Sequence, residues 1–261
     1  MLSLQQIKSY YPEQLQGFDR FIIREYLQYK ILEIIFETPY QSKLSFLGGT
    51  CLRIVYNNTR FSEDLDFDNF KLSMDDFSAI TVIVKQELKR LGYDVEIRNV
   101  KKGAYHCYIR FPELLYNEGL SKHKEEKILI HLDTESHEFE YIPNQHLLNK
   151  FDVFTQINST TGDILLAQKF FAVINRNRNK GRDFFDIVFL LGQGQTPNYD
   201  YLQAKTSIAN PDNLRSVVLE KCRKLNMKEM AKDVKPFLFN PKDEKKVLLF
   251  PEYIKQVKLI T

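Results

Sequence analysis

The chain has 261 residues, of which 43% are hydrophobic and 27% charged, a composition that allows one large globular domain or two modest ones. No apolar run approaches the roughly 20 residues of a membrane span, and the N-terminal residues lack the pattern of a signal peptide, so we expect a cytoplasmic protein without a membrane partner. The three cysteines are widely spaced and indicate neither a disulfide framework nor a zinc site. The net charge of +3 does not by itself indicate a nucleic-acid binder.

The first part of the chain alternates between helical and strand patterns. Apolar residues recur at helical spacing over residues 12 to 36, which predicts one amphipathic helix. Residues 44 to 49 read as a short apolar strand that ends in glycines, and residues 50 to 58 continue as a helix. Residues 64 to 70 alternate in character at period two, as a strand does.

A second helix and three strands follow. Ser73 and Asp76 predict the N-cap of this helix, and Gly92 predicts its end. The three strands are predicted in the segments YDVEIRN, AYHCYIRF and KILIHLDT. From about Gly162 the pattern becomes helical. We therefore predict an α+β fold, with a small mixed sheet flanked by helices in residues 1–150 and a helical C-terminal part in residues 151–261, the boundary lying near residues 145 to 160.

Gly48, Gly49 and Thr50 stand between a predicted strand and a predicted helix. Glycines let the backbone approach a ligand, and a helix N-terminus offers N–H groups to a phosphate. A tight turn capped by threonine is an equally simple explanation of this segment.

Asp64 and Asp66 lie just beyond that helix, on one face of a predicted strand whose Leu65 and Phe67 point to the core. Two neighbouring carboxylates repel each other unless a hard cation such as Mg²⁺ lies between them. Paired Mg²⁺ ions could then hold the phosphates of a nucleoside triphosphate (NTP).

Three polar residues flank this aspartate pair. Arg60 and Ser62 precede it closely and are grouped with it as candidate nucleotide contacts. Asp68 shares the strand face, but we expect it near the surface and solvated.

The stretch FLGGTCLRIVYNNTRFSEDLDFD resembles the first motif of the AbiEii/AbiGii abortive-infection toxins, which belong to the DNA polymerase β-like nucleotidyltransferase superfamily. The superfamily motif has Gly followed by Ser or Thr, a short helix and Asp-x-Asp, and it falls on Gly49, Thr50, Asp64 and Asp66. The resemblance implies a nucleotidyltransferase core in residues 1–150 and a helical domain in residues 151–261 that completes the cleft.

A second block, QKFFAVINRNRNKGRDFFDIVFLL, resembles the later motifs of the family, which fall on Lys169, Arg182, Asp183 and Asp186. The resemblance implies that these residues bind the nucleotide and that Lys169 also acts in catalysis. The residues alone allow two interpretations. The block holds five cations without an acid between Lys169 and Asp183, a cluster that suits a triphosphate. The alternative is a solvated helix end in which Arg182 and Asp186 form an i,i+4 pair.

The superfamily usually supplies a third carboxylate from a neighbouring strand, as a metal ligand or as the base for the incoming hydroxyl. Asp133 is the candidate, and it shares its predicted strand face with His131. An ordinary surface aspartate near a strand end is the alternative.

The resemblance implies transfer of a nucleoside monophosphate from an NTP to a hydroxyl, with two Mg²⁺ ions as cofactor. In related toxins the acceptor is the 3′ end of tRNA, and a cognate antitoxin is expected. Residues 213–261 contain 12 basic and 6 acidic residues, which indicates an RNA-facing surface or simply a solvated helical one. Two other hypotheses remain, transfer to a small molecule such as an aminoglycoside, and a binding module without catalysis.

Overall fold

The structure is a computed structural model that describes residues 2–259. The chain divides into two compact units. The first unit comprises Met1–Tyr56, Phe61–Glu138 and Ile142–Ser159, and the second comprises Asn57–Arg60, Phe139–Tyr141 and Thr160–Thr261. The expected boundary after residue 150 falls inside a hairpin of the first unit, whereas the observed division after Ser159 lies within the range of 145 to 160.

Within the described residues, the first unit is built on a seven-stranded mixed sheet. Its strands are β1 (Leu44–Leu47), β2 (Leu65–Asn69), β3 (Glu96–Lys102), β4 (Ala104–Phe111), β5 (Ile128–Glu135), β6 (Asn144–Lys150) and β7 (Val153–Ser159). Their order in the sheet is β3-β4-β5-β2-β1-β7-β6. Strand β2 runs antiparallel to β1 and parallel to β5, and β1 runs parallel to β7. The mixed sheet confirms the predicted α+β class.

Five helices accompany this sheet among residues 2–259. They are α1 (Leu4–Lys8), α2 (Asp19–Phe36), α3 (Gly48–Ile54), α4 (Met74–Arg90) and α5 (Leu114–Asn117). The prediction of one helix over residues 12 to 36 is partly wrong, because a 3₁₀ turn at Glu13–Leu15 precedes α2. The predicted cap of α4 is confirmed, since Ser73 and Asp76 form a reciprocal capping box and Gly92 follows the helix with a φ of 89°.

The helices α2 and α4 cover one face of the sheet. Phe36 of α2 packs against Phe67 of β2, and Thr81 of α4 accepts a hydrogen bond from Asn99 of β3. The side chains of β4 and β5 that share this face, such as Cys107 and Leu132, are buried. Because side chains alternate along a strand, the polar residues between them point to the other face, here called the open face of the sheet.

The hairpin of β6 and β7 was not expected from the sequence, which predicted no strand after residue 134. Its turn consists of Phe151 and Asp152, and Phe151 adopts a left-handed conformation with a φ of 61°. Such turns are usually marked by Asn or Gly. Here the ring of Phe151 packs against those of Tyr26 and Tyr29, each with its centroid 5.2 Å away, and this packing holds an unusual residue in the turn.

The second unit consists mainly of helices over the residues that the structure describes, as predicted for the C-terminal part. Its helices are α6 (Gly162–Asn175), α7 (Gly181–Gly192), α8 (Tyr199–Thr206), α9 (Pro211–Arg223), α10 (Met227–Val234), α11 (Lys245–Leu248) and α12 (Phe250–Gln256). Its core includes Phe170 of α6 and Phe184 of α7, and Phe184 packs edge to face on Phe250. No helix among residues 2–259 combines the length and the hydropathy of a membrane span.

Candidate active site

Three carboxylates lie together on the open face of the first unit. Asp66 of β2 and Asp133 of β5 are register partners on adjacent parallel strands, which are about 4.8 Å apart. Asp64 lies just before β2, and its contact with His131 of β5 places it on the same face. The side chains of Asp64 and Asp133 are 40% and 34% exposed, so both can meet a ligand from solvent.

Each outer carboxylate of this group has a histidine neighbour. Nδ1 of His106 forms a hydrogen bond of 2.8 Å with Oδ1 of Asp133, and Nδ1 of His131 lies 3.5 Å from Oδ1 of Asp64. His106 belongs to β4, where it is the register partner of Asp133. The hydrogen bond with His106 restrains the Asp133 carboxylate, and His131 lies beside that of Asp64.

Gly48 and Thr50 position the two aspartates of the Asp-x-Asp pair. Gly48 has a φ of 80°, and a Cβ atom at this position would overlap Oδ2 of Asp66. Thr50 is buried, and its hydroxyl donates a hydrogen bond to the backbone carbonyl of Asp64. Helix α3 begins at Gly48. The Gly-Gly-Thr turn therefore shapes the aspartate site directly, which neither interpretation of the sequence anticipated.

The segment before the aspartates is fixed by helix α2. Nε2 of the buried Gln28 donates to the backbone carbonyls of Ser62 and Glu63, at 3.2 Å and 2.9 Å. Arg24 forms an ion pair with Glu63. The backbone carbonyl of Ser62 is thus held by Gln28. The prediction that Ser62 contacts a nucleotide stays a prediction.

Asp68 differs from its expected state. It is only 2% exposed, whereas the sequence predicted a solvated side chain. Its Oδ1 accepts hydrogen bonds from the backbone N–H of Asn69 and of His137. The expectation was wrong because the chain after β5 returns over the end of β2 and covers Asp68, a contact between residues far apart in sequence.

The three carboxylates supply hard oxygen donors, the ligand type that magnesium takes when it is shared with a phosphate substrate. Among residues 2–259, no group of three or more His, Cys, Asp or Glu side chains is positioned to hold a metal ion. Mg²⁺ is usually held in enzymes by one or two carboxylates together with phosphate oxygens and water. The side chains of Asp64 and Asp133 are partly exposed, so solvent and a substrate can reach them.

The second unit contains a separate cluster of charges. Nζ of Lys169 on α6 lies 3.0 Å from Oδ1 of Asp183 and 2.9 Å from Oδ2 of Asp186, both on α7. Arg176 forms an ion pair with Asp183 through Oδ2. The alternative of a solvated helix end is wrong for Asp183 and Asp186, because both are buried.

Arg60 completes this cluster. Its Nε and one terminal nitrogen donate to Oδ1 and Oδ2 of Asp186, at 2.7 Å and 2.6 Å, and both side chains are at most 1% exposed. Burial by itself raises the pKa of Asp186, but Arg60 and Lys169 outweigh it and hold the pKa below its ordinary value. Burial likewise lowers the pKa of Lys169, and attraction to Asp186 and Asp183 more than compensates, so this pKa is raised.

The remaining predicted cations have different surroundings. The guanidinium of Arg182 lies 4.6 Å from the ring centroid of Phe237. In the basic C-terminal segment, Lys221 donates to the carbonyls of Ile174 and Arg176, and Lys224 forms an ion pair with Glu220 on its own helix. At least these two lysines of the basic C-terminal segment therefore bind groups of the second unit itself.

His106, Gln28 and the buried Asn58, which donates a hydrogen bond to Asp186, belong to these sites and were not singled out by the sequence. His106 lies in a strand, next to the apolar Cys107. The alternation of side chains along a strand is the signal that could have assigned His106 to the polar face. Gln28 lies in the middle of a helix, and no sequence pattern links it to Ser62.

Two solved structures from Helicobacter pylori share the fold. JHP933 aligns over 91% of this chain and 91% of its own, with a TM-score of 0.56 and 18% identity. A protein assigned as a nucleotidyltransferase aligns over 95% of this chain and 99% of its own, with a TM-score of 0.51 and 17% identity. These similarities define the class of the fold, which is that of a nucleotidyltransferase.

The family follows from the sequence itself. Residues 30–247 match the family described as nucleotidyl transferase AbiEii toxin, type IV TA system. The chain therefore belongs to the AbiEii nucleotidyl transferase toxin family. No curated protein gives a significant match.

Proposed function

We propose that this protein transfers a nucleoside monophosphate from an NTP to a hydroxyl at the 3′ end of an RNA, tRNA in particular, and thereby acts as the toxin of a toxin–antitoxin pair. The observation that carries the proposal is the register pairing of Asp66 with Asp133, with Asp64 on the same sheet face. Three carboxylates converge there on a fold shared with nucleotidyltransferases.

The reaction is an in-line displacement at the α-phosphorus. The acceptor oxygen forms a new bond to the α-phosphorus, while the bond from this phosphorus to the oxygen that bridges to the β-phosphorus breaks. The electron pair of the broken bond leaves with pyrophosphate. We assign the acceptor proton to a carboxylate oxygen of Asp133, whose other contact, His106, keeps it in place.

Asp64, Asp66 and Asp133 would hold two Mg²⁺ ions. When bound, these ions supply charge neutralisation at the attacking and departing oxygens. The chain itself contributes the position of the carboxylates, because Gly48 admits Asp66 and Thr50 fixes the backbone of Asp64.

For the nucleotide, the proposal retains the residues that the family motifs mark: Gly48, Gly49, Thr50, Arg60, Ser62, Lys169, Arg182, Asp183 and Asp186. Their roles differ. An ammonium group has three N–H donors, and Lys169 uses its donors on Asp183 and Asp186 while one can remain for a phosphate. Arg60 is buried against Asp186, so we assign it the role of positioning this aspartate.

Two further elements belong to the proposal. The family description names a toxin–antitoxin system, from which we infer a cognate antitoxin, and we place the reaction in the cytoplasm, where NTPs and tRNA are available. Against the non-catalytic alternative, the proposal takes Asp133, the register partner of Asp66, as the third carboxylate.

The experiment incubates the purified protein with Mg²⁺ and each of the four NTPs, labelled at the α-phosphate, in the presence of total cellular RNA or of an aminoglycoside. We expect label on RNA of tRNA size from at least one NTP, and loss of labelling with a chelator or in Asp66→Asn. Label on the aminoglycoside alone would contradict the RNA acceptor. Absence of label on every acceptor would contradict transferase activity as a whole.

A further inference from the structure

The open face of the sheet continues beyond the carboxylates with basic and aromatic side chains. In β4, Tyr108 is the register partner of His131, and in β3, Arg98 is the register partner of Tyr108. Arg110 lies two residues beyond Tyr108 on the same face. Arg98, Tyr108 and Arg110 are here called the basic platform.

The ring of Tyr108 is held between two neighbours. The centroid of the His131 ring lies 4.9 Å from that of Tyr108, in an edge arrangement, and the guanidinium of Arg110 lies 5.6 Å from the Tyr108 centroid. Tyr108 is half-buried, so part of its side chain faces solvent. An oriented ring next to a guanidinium plane is a surface on which a nucleic-acid base can stack.

The platform is positively charged. Arg98 is exposed, and no carboxylate among residues 2–259 lies at ion-pair distance from it. The acid nearest in register is Glu96, the partner of Arg110, and Lys127 pairs with Glu96 at 2.8 Å. The platform therefore keeps a net positive charge for a phosphate.

The opposite face of β3 contacts helix α4. Asn99 donates to Thr81 of α4 there, and this contact places the face against the helix. Lys101, on the same side as Asn99, is an exposed cation on the same strand. Lys101 is a matched control for Arg98, because both are exposed cations of β3 and they lie on opposite faces of the sheet.

We propose that the basic platform binds the single-stranded 3′ segment of the RNA acceptor, with an unpaired base on Tyr108 and a backbone phosphate on Arg98. The inference rests on the proposed function and specifies the acceptor side of the same site. Three strand spacings of about 4.8 Å separate Arg98 from Asp64, roughly 14 Å across the sheet. A terminal hydroxyl can thus lie at the carboxylates while the preceding nucleotides lie on the platform.

An unpaired segment suits this surface better than a duplex. Bases inside an RNA duplex are stacked on one another and offer no face to a side chain, whereas a free end can be splayed onto an aromatic ring. The arginines add backbone contacts that make binding depend on salt.

The test uses two kinds of measurement. A fluorescent single-stranded RNA ending in a 3′ hydroxyl is titrated against Asp66→Asn protein, so that binding is read without turnover. Transfer kinetics with tRNA are measured in the otherwise unchanged chain. The variants are Arg98→Ala, Tyr108→Leu, Tyr108→Phe and the control Lys101→Ala.

We expect Tyr108→Leu and Arg98→Ala each to weaken RNA binding and to raise KM for tRNA about tenfold, with KM for NTP unchanged. Tyr108→Phe keeps the ring and should retain binding, and Lys101→Ala should behave as the wild type. Arg98→Ala should also lower the slope of log affinity against log salt by about 0.7, the contribution of one contact to single-stranded nucleic acid.

Three results would overturn the inference. The first is unchanged RNA binding and salt slope in Arg98→Ala and Tyr108→Leu, while charge reversal in the C-terminal basic segment reduces both. The second is a rise of KM for NTP rather than for tRNA, which would assign the platform to the nucleotide. The third is an equal loss in Lys101→Ala, which would indicate nonspecific attraction. In each case wild-type transfer to RNA persists, whereas failure of the proposed function would show as absence of transfer in the wild type.

Discussion

The carboxylate of Asp66 lies against the backbone of Gly48, in the space where any other residue would carry its Cβ atom. Gly48 also has a φ of 80°, a conformation that side chains disfavour. Gly48→Ala should therefore displace Asp66 and reduce transfer about 10²-fold, the scale of a misplacement of about 1 Å. Gly92→Ala is the control, because Gly92 has a φ of 89° and a Cβ atom added there would meet no atom within 4 Å.

Both glycine variants should lose about 1–3 kcal/mol of stability from backbone strain, measured by urea unfolding. Gly92→Ala should keep its transfer rate. Equal transfer in the two variants would mean that the contact between residue 48 and Asp66 has no catalytic consequence.

Asp64→Asn and Asp66→Asn should abolish transfer and leave the fold intact. Removing one charge takes a ligand from the magnesium site without creating a cavity, and stability can even rise because carboxylate repulsion is relieved. Glu135→Gln is the control, since Glu135 is an exposed acid on the same face of β5. Transfer rates and thermal unfolding are the measurements. Near wild-type transfer in either aspartate variant would refute the metal site.

Asp133 and His106 can be tested as a pair. Asp133→Asn should reduce transfer strongly, whereas His106→Ala should raise the Mg²⁺ concentration needed for half-maximal transfer by about 10- to 100-fold, the range for a residue that orients a metal ligand. Excess Mg²⁺ should then restore transfer in His106→Ala. If Asp133→Asn transfers normally, Asp133 is an ordinary surface aspartate, and the third carboxylate has to be sought elsewhere.

Lys169→Ala should reduce the transfer rate by about 10²-fold or more if its remaining N–H stabilises charge on the departing pyrophosphate. The variant also leaves Asp183 and Asp186 with fewer cations, so a loss of stability is expected as well. Comparison with Asp186→Asn at a temperature where both variants are folded separates the two effects. A transfer loss no larger than that of Asp186→Asn would leave Lys169 with a structural role only.

Asp186→Asn should destabilise the protein by about 3–5 kcal/mol, because it leaves the buried Arg60 with an incomplete partner. Glu220→Gln, which breaks the exposed pair with Lys224, should cost at most about 1 kcal/mol. Urea unfolding measures both changes. Similar values in the two variants would show that burial of the Arg60 pair does not determine its strength.

The depressed pKa of Asp186 predicts that stability depends on pH. Its pKa in the folded protein is depressed below the ordinary value of 3.8, so the stability it contributes is fully present above that value and is lost as the pH falls through the folded pKa. The difference in unfolding free energy between wild type and Asp186→Asn should therefore shrink below about pH 4. A difference that stays constant down to about pH 2 would contradict the depressed pKa.

The sequence by itself determined the family, the α+β class and the Asp-x-Asp pair. These depend on local order: two aspartates two residues apart in a strand share a face, and Ser73 with Asp76 caps α4 through contacts three residues apart. The hairpin of β6 and β7 escaped prediction because its turn is held by Phe151 packing on distant tyrosines rather than by turn residues.

Tertiary structure alone decided which residues meet. The register of β5 on β2 places Asp133 beside Asp66, and that of β4 on β5 adds His106. Two other contacts are equally distant in sequence. Asp68 and His137 are separated by 69 positions, and Arg60 and Asp186 by 126 positions. The sequence shows the period of each strand, but the register between strands is set by the packing of their buried faces, and a shift of one residue in β4 or β5 would turn His106 or Asp133 to the other face of the sheet.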